Sequence, residues 1–567
     1  MSKRVVIDPI TRIEGHLRIE VEVDENNVVQ KAYSSSSLWR GIEVILKDRS
    51  VFDVGLLVQR ICGVCTYSHY RAGTEAVENA LGLTIPKNAK YIRSLIHASL
   101  NIHDHIVHFY HLHALDWVDV VAALSASPEK AAQVAMQYSD VPIAAGAGDL
   151  RATQQKVQKL VDTGKLGPFA NAYWGNKTYK FTPEQNLIAL SHYLKALEIQ
   201  RIVAELMAIF GGKSPHPQSL VVGGITSVRD VLNPARLQEW KAKLTTVQDF
   251  IERAYYPDIL MAADAYKTEP SVLGDVGVPN FLTTSEFFTK GETHLFQSGV
   301  IKNKDLSQVF DLDPMLIKED VTHSWYKGEQ PLHPFDGETE PNYTGMKERD
   351  TVYGKLPTLD QDGKYSWVKS PRYDGQPFEV GPLASMVVNY ARGNQVVVDS
   401  VNDFLNVTGL PVTALFTTLG RTAARMLQTR IVADSAFETL QALIDNIIVD
   451  EETYRKPDLS KIPSESEGYA MLEAPRGMLS HWIRIKDGKV ANYQAVVPST
   501  WNSGPVDANG NVGPYEADLI GLKLEDPKKP LEVIRVIHSF DPCMACAVHV
   551  MDFNGNELSQ FEVKPTI

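Results

Sequence analysis

The placement of the cysteines is the feature that most constrains this chain. The sequence has 567 residues but only four cysteines, and these form two Cys-x-x-Cys pairs, Cys62/Cys65 near the N-terminus and Cys543/Cys546 near the C-terminus. A disulfide scaffold normally uses more cysteines and scatters them along the chain. Reserving cysteine for two pairs therefore indicates one thiolate metal site. If both pairs bind the same ion, nearly the whole chain closes into one unit.

The residues around the first pair suit a thiolate. It stands in RICGVCTYSH at residues 60–69, and the second pair stands in DPCMACAVH at residues 541–549. Gly63 lets the backbone turn so that both sulfurs face one ion, and a helix start after Cys65, with Arg60 nearby, favours the thiolate form.

Two identities of the metal remain open from these residues. A structural zinc ion bound by four cysteines is the simplest reading. Zinc ribbons, however, separate their two pairs by about 15–20 residues, and a chain of this length has little need of a stabilising ion. Four soft thiolates bind nickel or iron equally well.

The remaining composition excludes some classes of function. The formal net charge is −13, so the chain is not expected to bind nucleic acid, which requires clustered lysine and arginine. The sequence contains no run of about 18 apolar residues, so no transmembrane helix is predicted. The N-terminal residues MSKRVVIDP reach a charge and a proline too soon for the core of a signal peptide. Any export signal is therefore expected elsewhere.

The hydrophobic pattern predicts a mainly α fold with small β elements, an α+β chain. Short strands are expected in residues 3–34, and a hairpin at 481–497 turns at Asp487-Gly488. Residues 265–380, rich in Pro, Gly, Asp and Thr, are predicted to form long surface excursions. Long helical stretches are predicted near residues 88–124, 183–211, 235–264 and 398–449.

The motifs resemble those of one family. Arg-x-Cys-Gly-x-Cys with His four positions later, and Asp-Pro-Cys-x-x-Cys-x-x-His near the terminus, resemble the signatures of nickel–iron hydrogenase large subunits. The similarity runs in order from residue 6 to residue 549 and is strongest to the respiratory, uptake-type enzymes of bacteria. It also includes the segments DPITRIEGH (8–16), WRGIE (39–43), HDH (103–105), EAPRG (473–477) and VPSTWN (497–502).

The resemblance implies a fold and a processing step. Residues 1–549 would form one catalytic unit, with a central helix bundle and with N- and C-terminal motifs that converge on a buried metal site. Residues 550–567 would be a propeptide that an endopeptidase removes after His549 once nickel is loaded. The chain is therefore expected to be a precursor.

The resemblance also implies the cofactors. Nickel would be bound by all four cysteines, and Cys65 and Cys546 would bridge to an iron that carries cyanide and carbon monoxide. A magnesium ion would be bound by Glu43, the backbone carbonyl of Ala495 and His549, an oxygen-rich set that suits a hard cation.

Further roles near the metals follow from the same resemblance. Cleavage of H2 needs a metal for the hydride and a base for the proton, and a cysteine sulfur, with Cys543 as the candidate, supplies the base. Glu14 would carry the proton onward, and Arg476, held by Asp104 and Asp541, would lie over the open side of the metals.

The other residues of the site would surround the iron ligands and the sulfurs. Ser499 is expected to donate a hydrogen bond to a cyanide, and His69 to a bridging sulfur. Apolar walls would surround the carbon monoxide, formed by Pro475, Leu479 and Pro498.

The resemblance assigns partners and a location. Electrons from reversible H2 cleavage would pass to a small subunit with iron–sulfur clusters, since this chain has no further cysteines for clusters, and then through a membrane cytochrome b or its equivalent to a quinone-linked acceptor. Nickel-loading chaperones and the endopeptidase would act on the precursor in the cytoplasm. Export with the small subunit would place the mature protein on the periplasmic face of the membrane.

Alternative hypotheses make different predictions. A regulatory H2 sensor usually lacks the C-terminal tail, and non-catalytic relatives in respiratory complex I lack the four cysteines. A zinc-stabilised scaffold predicts no effect of Glu14 or Arg476 on any activity. Six of the sixteen histidines lie between His97 and His113; we interpret them as the polar face of a helix near the active site and the partner, rather than as a haem or second-metal site.

Overall fold

The computed structural model describes residues 3–170, 172–226, 232–274, 277–458, 460 and 463–547, without the side chains of residues 546 and 547. The expected ligand His549 and the tail 550–567 lie outside the described residues, as does the side chain of Cys546. No helix within the described ranges is both long and apolar enough to cross a bilayer.

Helices make up most of the regular structure. They are α1 (Ile42–Ile45), α2 (Val54–Val58), α3 (Thr66–Ala80), α4 (Lys87–Val107), α5 (Pro128–Ala135), α6 (Ala147–Asp162), α7 (Pro183–Gly211), α8 (Pro234–Phe250), α9 (Tyr256–Tyr266), α10 (Pro270–Leu273), α11 (Pro382–Ala391), α12 (Gln395–Thr408), α13 (Thr418–Ile447), α14 (Pro498–Ser503), α15 (Pro514–Leu519), α16 (Leu531–Ser539) and α17 (Met544–Ala547). Two of them continue as π-helical turns, α4 into His108–His113 and α8 into Ile251–Tyr255.

The strands form small antiparallel sheets. They are β1 (Lys3–Ile7), β2 (Leu17–Val23), β3 (Val29–Ser36), β4 (Leu220–Val221), β5 (Gly224–Ile225), β6 (Phe281–Thr283), β7 (Glu286–Phe288), β8 (His294–Phe296), β9 (Gly299–Ile301), β10 (Ile317–Asp320), β11 (Lys347–Thr351), β12 (Gly354–Thr358), β13 (Ser370–Tyr373), β14 (Glu465–Ala474), β15 (Gly477–Lys486) and β16 (Lys489–Val496). The three-stranded sheets are the meanders β1-β2-β3 and β14-β15-β16, and the other strands pair in twos.

The central core lies between α4, α7 and α13, and α4 packs against both of the other helices. Its apolar side chains come from every turn of these helices, as Ile96, Leu206 and Leu427 illustrate. The sequence fixes where α7 begins: Thr182 and Gln185 form a capping box. A scaffold of this kind holds the end of α4 in a defined position.

The predicted α+β class is confirmed, and so are the N-terminal strands and the hairpin. Asp487 and Gly488 both have positive φ, 51° and 72°, as a two-residue hairpin turn requires. The helical stretch predicted near 398–449 is confirmed, and it consists of two helices, α12 and α13. They are separate because Gly409 ends α12 in the left-handed conformation (φ 69°) and Pro411 cannot continue the helix.

The prediction of surface excursions for residues 265–380 is wrong in part. Leu282, Val300 and Ile317 are fully buried and pack with Met478 and Trp482 of β15. The Pro, Gly, Asp and Thr residues mark the frequent turns of this segment. The few apolar residues between them form short strands that complete the core around β15.

The N-terminal sheet packs against the last helices of the described chain. Ile19 of β2 is buried in one cluster with Leu519 of α15 and Val536 of α16. The Glu516 carboxyl accepts hydrogen bonds from the Ser34 backbone N–H at 3.0 Å and from the Tyr365 hydroxyl at 2.9 Å. These contacts bring the two ends of the chain to one side of the molecule.

Glu516 makes a testable contribution to pH-dependent stability. Burial raises its pKa to about 8, and the hydrogen bonds from Ser34 and Tyr365 only partly offset this. The folded protein thus keeps a proton on Glu516 that the unfolded chain releases near pH 4.5. This group therefore lowers the free energy of unfolding as pH rises from about 5 to 8, by up to about 1.4 kcal/mol per pH unit.

The Glu516→Gln variant removes the titration but keeps an oxygen acceptor. We expect its unfolding free energy, relative to the unaltered protein, to increase with pH between about 5 and 8, measured by denaturant unfolding at several pH values. The matched control is Glu198→Gln, whose side chain is 65% exposed and for which no such trend is expected. A Glu516→Gln difference that does not vary with pH would contradict the prediction.

Candidate metal centre

Short helical turns deliver the first cysteine pair to the interior. α2 and a 3-10 turn at residues 59–61 lead into Cys62, and α3 begins directly after Cys65. The Val64 and Cys65 N–H groups lie 3.1 and 3.2 Å from the Cys62 sulfur. Backbone N–H groups at a helix start stabilise negative charge, so this sulfur is prepared to be a thiolate.

The second pair arrives from the other end of the chain. The Cys543 sulfur lies 3.3 Å from that of Cys62 and 4.0 Å from that of Cys65. All three residues are buried, and all three are cysteines rather than half-cystines. The structure thus joins both predicted motifs through Cys62, Cys65 and Cys543.

The spacing of the three sulfurs fits one soft metal ion. Their sulfur atoms all lie within 4.8 Å of one another. Thiolates arranged tetrahedrally at about 2.3 Å from an ion are separated by roughly 3.8 Å. Three buried thiols this close to one another and away from water suit a bound cation, which would neutralise the negative charge of their thiolate forms.

A small cavity of about 10 Å³ adjoins the sulfurs. Its walls contain eight residues predicted from the sequence and two that the sequence did not indicate, Ala474 and Val497. The predicted ones are Cys65, His69, Pro475, Arg476, Leu479, Pro498, Ser499 and Cys543. Most of the wall is apolar, so a polar group inside the cavity has few hydrogen-bond partners to choose from.

Arg476 is the cation of this cavity. It lies in the two-residue turn between β14 and β15, and its guanidinium contacts Asp104 Oδ2 at 3.1 Å and Asp541 Oδ2 at 3.2 Å. Burial alone would lower the pKa of Arg476, but Asp541, Cys543 and Asp104 raise it well above its ordinary value. Arg476 is therefore a fixed positive charge beside the thiols.

The turn that carries Arg476 depends on a glycine. Gly477 has φ 123°, and a Cβ atom there would lie 2.5 Å from the backbone nitrogen of Gly381. The backbones of two segments touch at this point, which no larger residue allows.

Glu14 contacts the Cys543 segment directly. Its Oε2 atom lies 3.4 Å from the Cys543 sulfur and accepts the Ala545 N–H at 2.9 Å. Burial, together with the nearby Cys62, raises the pKa of Glu14 to about 7 despite the lowering effect of its hydrogen bonds and Arg476. The carboxyl can therefore hold or release a proton near neutral pH.

Ser499 and His69 lie on opposite parts of the wall. The Ser499 hydroxyl oxygen accepts the Cys543 N–H at 3.0 Å. His69 shares a hydrogen bond with His481 through Nδ1 (3.1 Å), and its Nε2 is buried without a hydrogen-bond partner among the described residues. Burial lowers the pKa of His69 to about 4, so the ring is neutral. The unpartnered Nε2 indicates that a further group belongs beside it.

Glu43 lies in a separate polar cluster. Its Oε1 accepts the Ala495 N–H at 2.9 Å, and Lys369 lies 3.5 Å from its Oε2. Lys369 also contacts Glu319 (3.2 Å) and Gln494 (2.6 Å). Sequence reasoning missed Lys369 and Glu319, because both lie in the segment that was predicted to be surface.

The histidine-rich helix forms buried polar contacts. His97, His105, His108 and His113 are fully buried, and His105 Nε2 lies 3.1 Å from the carbonyl oxygen of Pro475. Each of the six histidines has a hydrogen-bond or ion-pair partner in the protein. This arrangement agrees with the polar-face interpretation.

Comparison with known proteins decides the family. The family model for nickel-dependent hydrogenases matches residues 40–549, and a model described as HoxL-like matches residues 4–35. The chain belongs to the nickel-dependent hydrogenase large subunits. It is thus an oxidoreductase of that family, and the predicted recognition and enzyme class are confirmed.

Individual hydrogenases match along their full length. The chain is 57% identical to the quinone-reactive Ni/Fe-hydrogenase large chain of Wolinella succinogenes, over 100% of this chain and 99% of that one. It is 46% identical to the hydrogenase-2 large chain of Escherichia coli K12, over 99% and 100%. The solved [NiFeSe] hydrogenase of Desulfovibrio vulgaris Hildenborough in its reduced state matches with a TM-score of 0.76 and 32% identity, over 97% and 100%.

Arg476→Lys tests the cation beside the thiols. One ammonium group cannot span two carboxylates as a guanidinium does. We expect nickel content close to that of the unaltered hydrogenase and H2-dependent dye reduction lower by about 10- to 100-fold, measured on protein purified with its small subunit. The control is Arg484→Lys, which should be active. Arg484 lies in β15, the strand that follows the turn; its side chain is 42% exposed and pairs with Asp336 at 2.8 Å. Full activity in Arg476→Lys would refute the assignment.

Proposed function

We propose that this large subunit cleaves H2 heterolytically and reversibly, and that it passes the electrons to an iron–sulfur small subunit and on to a quinone-linked acceptor. The observation that carries the proposal is the group of three buried thiols with a carboxyl, Glu14, 3.4 Å from the Cys543 sulfur. A metal, a base at contact distance and a proton carrier are what heterolysis requires.

The residues present fit the proposed metals. Cys62, Cys65, Cys543 and, by its motif, Cys546 would hold nickel and an iron with cyanide and carbon monoxide ligands. When bound, these metals supply the site that accepts the electron pair of H2. Arg476 and Ser499 line the cavity in which diatomic ligands would need hydrogen-bond donors, and Pro475, Leu479 and Pro498 line its apolar walls.

The proton leaves through protein groups. The Cys543 sulfur is the base in contact with the metals, and Glu14 lies next to it with a pKa of about 7 raised by burial. A carrier whose pKa is near the working pH takes up and releases protons with little free-energy cost in either direction. The apolar walls keep water from competing for this proton.

A magnesium ion is proposed at Glu43. Glu43, the Ala495 carbonyl and His549 would be its protein ligands, and carboxylate and carbonyl oxygens suit such a cation. The neighbouring Glu319 adds a second carboxyl to this region.

The surface in front of Cys62 suits a small subunit. Gly63 is exposed although Cys62 is buried, so the thiols lie just below the surface. The short helical turns before Cys62 leave large apolar side chains exposed to 39–48%, namely Val44, Ile45, Phe52 and Leu56. Exposed apolar groups beside a redox centre favour a protein partner, and all cysteines of this chain belong to the two metal motifs.

The acceptor and the location follow from relatives. One relative is named quinone-reactive and others are named uptake hydrogenase large subunits. On this basis we propose transfer through a membrane cytochrome b or its equivalent, with the mature enzyme on the periplasmic face after export with its small subunit.

The tail is proposed to be a maturation signal. The match to the family model ends at residue 549, where the resemblance places cleavage by an endopeptidase. Nickel-loading chaperones would act before that step, and 550–567 would then be removed from the unit 1–549.

Elemental analysis tests the function directly. The protein is co-expressed with its small subunit and maturation genes, purified, and examined for nickel, iron and intact mass. We expect near-stoichiometric nickel with iron, a chain that ends at His549, and H2-dependent reduction of a dye. Zinc alone on a full-length chain, from cells that mature other hydrogenases, would overturn the proposal in favour of the zinc-stabilised scaffold.

Glu14→Gln tests the proton step. Glutamine keeps an oxygen that can accept the Ala545 N–H, but it cannot carry a proton. We expect nickel content and thermal stability to be maintained while H2-dependent dye reduction falls by about 100-fold or more. The control is Glu22→Gln, which should be active; Glu22 lies in β2, the strand that follows the Glu14 segment, and pairs with Arg4 at 2.9 Å. Equal rates in the two variants would remove Glu14 from the proton path.

A further inference from the structure

Asp116 is a buried carboxylate that lies outside the cavity of the metal centre. It ends the 3-10 turn Ala114–Asp116, which directly follows the π-helical turn after α4. Its Oδ1 atom accepts Arg12 Nη2 at 2.6 Å, and its Oδ2 atom accepts His113 Nδ1 at 2.9 Å and His538 Nδ1 at 2.6 Å. Both carboxylate oxygens are thus used.

Two of these partners belong to opposite ends of the chain. Arg12 is in the N-terminal segment and His538 is in α16. The two segments also contact each other directly, because His538 Nε2 lies 2.8 Å from the Thr11 carbonyl oxygen. The Asp116 carbonyl oxygen also accepts a hydrogen bond from Arg535 of α16 at 2.7 Å, which is a second contact to that helix. Asp116 is therefore the point at which the helix bundle holds both ends.

The next contacts along both segments are those of the metal centre. Arg12 precedes Glu14 by two residues, and His538 precedes Cys543 by five. The Met544 N–H donates to the Glu14 carbonyl at 2.8 Å, and the Glu14 N–H lies 3.3 Å from the Pro542 carbonyl oxygen. A Cβ atom on Gly15 would lie 2.4 Å from the Ala545 nitrogen. Close backbone contacts thus hold the two segments against each other between Asp116 and the thiols.

A second metal ion at this cluster is the competing reading. The ligand atoms of His113, Asp116 and His538 lie within 4.8 Å of one another. However, the guanidinium of Arg12 already neutralises the carboxylate, and the Nδ1 atoms of both histidines already contact Asp116 Oδ2. A cation would have to compete with Arg12 for the carboxylate and displace both Nδ1 contacts, so the hydrogen-bonded arrangement is favoured.

The charge on Asp116 is stable in this setting. Burial alone would raise its pKa, but Arg12, His538 and His113 hold the pKa well below its ordinary value. Removing this charge would leave Arg12, whose side chain is only 10% exposed, without its carboxylate partner. An unpaired charge with so little access to water is strongly destabilising.

We propose that Asp116 is a positioning residue of the metal centre. By holding Arg12 and His538 together, it sets the distance between the Glu14 carboxyl and the Cys543 sulfur, and so the rate of proton transfer between them. This inference rests on the proposed function, because it assumes that the proton leaves through Glu14.

The test compares Asp116→Asn with a matched control in the complete, processed enzyme with its small subunit. Asp258→Asn is the control, because Asp258 is equally buried and accepts His192 Nδ1 at 2.8 Å and the Tyr110 hydroxyl at 2.7 Å, but lies in α9 and does not line the cavity of the metal centre. Nickel content, the nickel EPR spectrum, thermal stability, H2-dependent dye reduction and its solvent isotope effect are measured for both.

We expect Asp116→Asn to bind nickel but to have an altered EPR spectrum, a larger solvent isotope effect and a rate lower by about 10- to 100-fold, as a misplacement of about 1 Å causes. Asp258→Asn should lose stability only. An unchanged spectrum and isotope effect in Asp116→Asn, or equal changes in Asp258→Asn, would overturn the inference. Absence of nickel and activity in the unaltered enzyme would instead overturn the proposed function.

A double variant keeps the test decisive if Asp116→Asn does not fold. Arg12→Gln/Asp116→Asn removes both charges and leaves no unpaired guanidinium. The inference expects this folded enzyme to show the same altered spectrum and larger isotope effect, since the link between Arg12 and His538 is still lost. Behaviour like that of the unaltered enzyme would refute the positioning role.

Discussion

The hydrogen-bonded junction between residues 14–15 and 542–545 is the constraint on which the rest of this structure depends. Glu14 uses its N–H, its carbonyl and its carboxyl to hold the Cys543 segment, and Gly15 is required for the close approach. In the sequence, the first cysteine pair is separated from Cys543 by almost the full length of the chain. The metal centre therefore exists only when the whole fold has closed, which explains why so large a scaffold surrounds so small a site.

Charge balance decides how the site can be buried. Cys62, Cys65 and Cys543 would be thiolates when a metal is bound, and Asp104 and Asp541 lie close behind them. Burying this much negative charge is unfavourable unless cations accompany it. Arg476 is held between the two aspartates beside the thiols, so it offsets part of this negative charge. The bound metals supply the remaining positive charge, so assembly of the site and metal binding are energetically linked.

The hydrophobic pattern predicted the α+β class, and the motifs named the residues of a candidate site whose roles stay predictions. The burial of single residues elsewhere could not be predicted, for physical reasons. Motifs such as RICGVC, EAPRG and VPSTWN mark chemistry that tolerates few alternatives, so Cys65, Arg476 and Ser499 could be named, and all three line one cavity. The burial of Leu282 and Ile317 could not be anticipated, because isolated apolar residues among turn formers have no periodicity. Asp116 gave no local signal at all, since its partners Arg12 and His538 are distant in the sequence.

The two uses of Glu14 explain why its environment must be rigid. Its carboxyl accepts the Ala545 N–H and also lies beside the Cys543 sulfur, so the group that we propose as the proton carrier also serves as a clamp on the Cys543 segment. If the clamp loosened, the carboxyl would be free to hydrate, and hydration would lower its pKa toward that of an exposed glutamate. Rigid attachment thus keeps the pKa of Glu14 close to neutral pH. The contacts of the N-terminal segment, from the sheet β1-β2-β3 to Arg12, hold Glu14 in this rigid position.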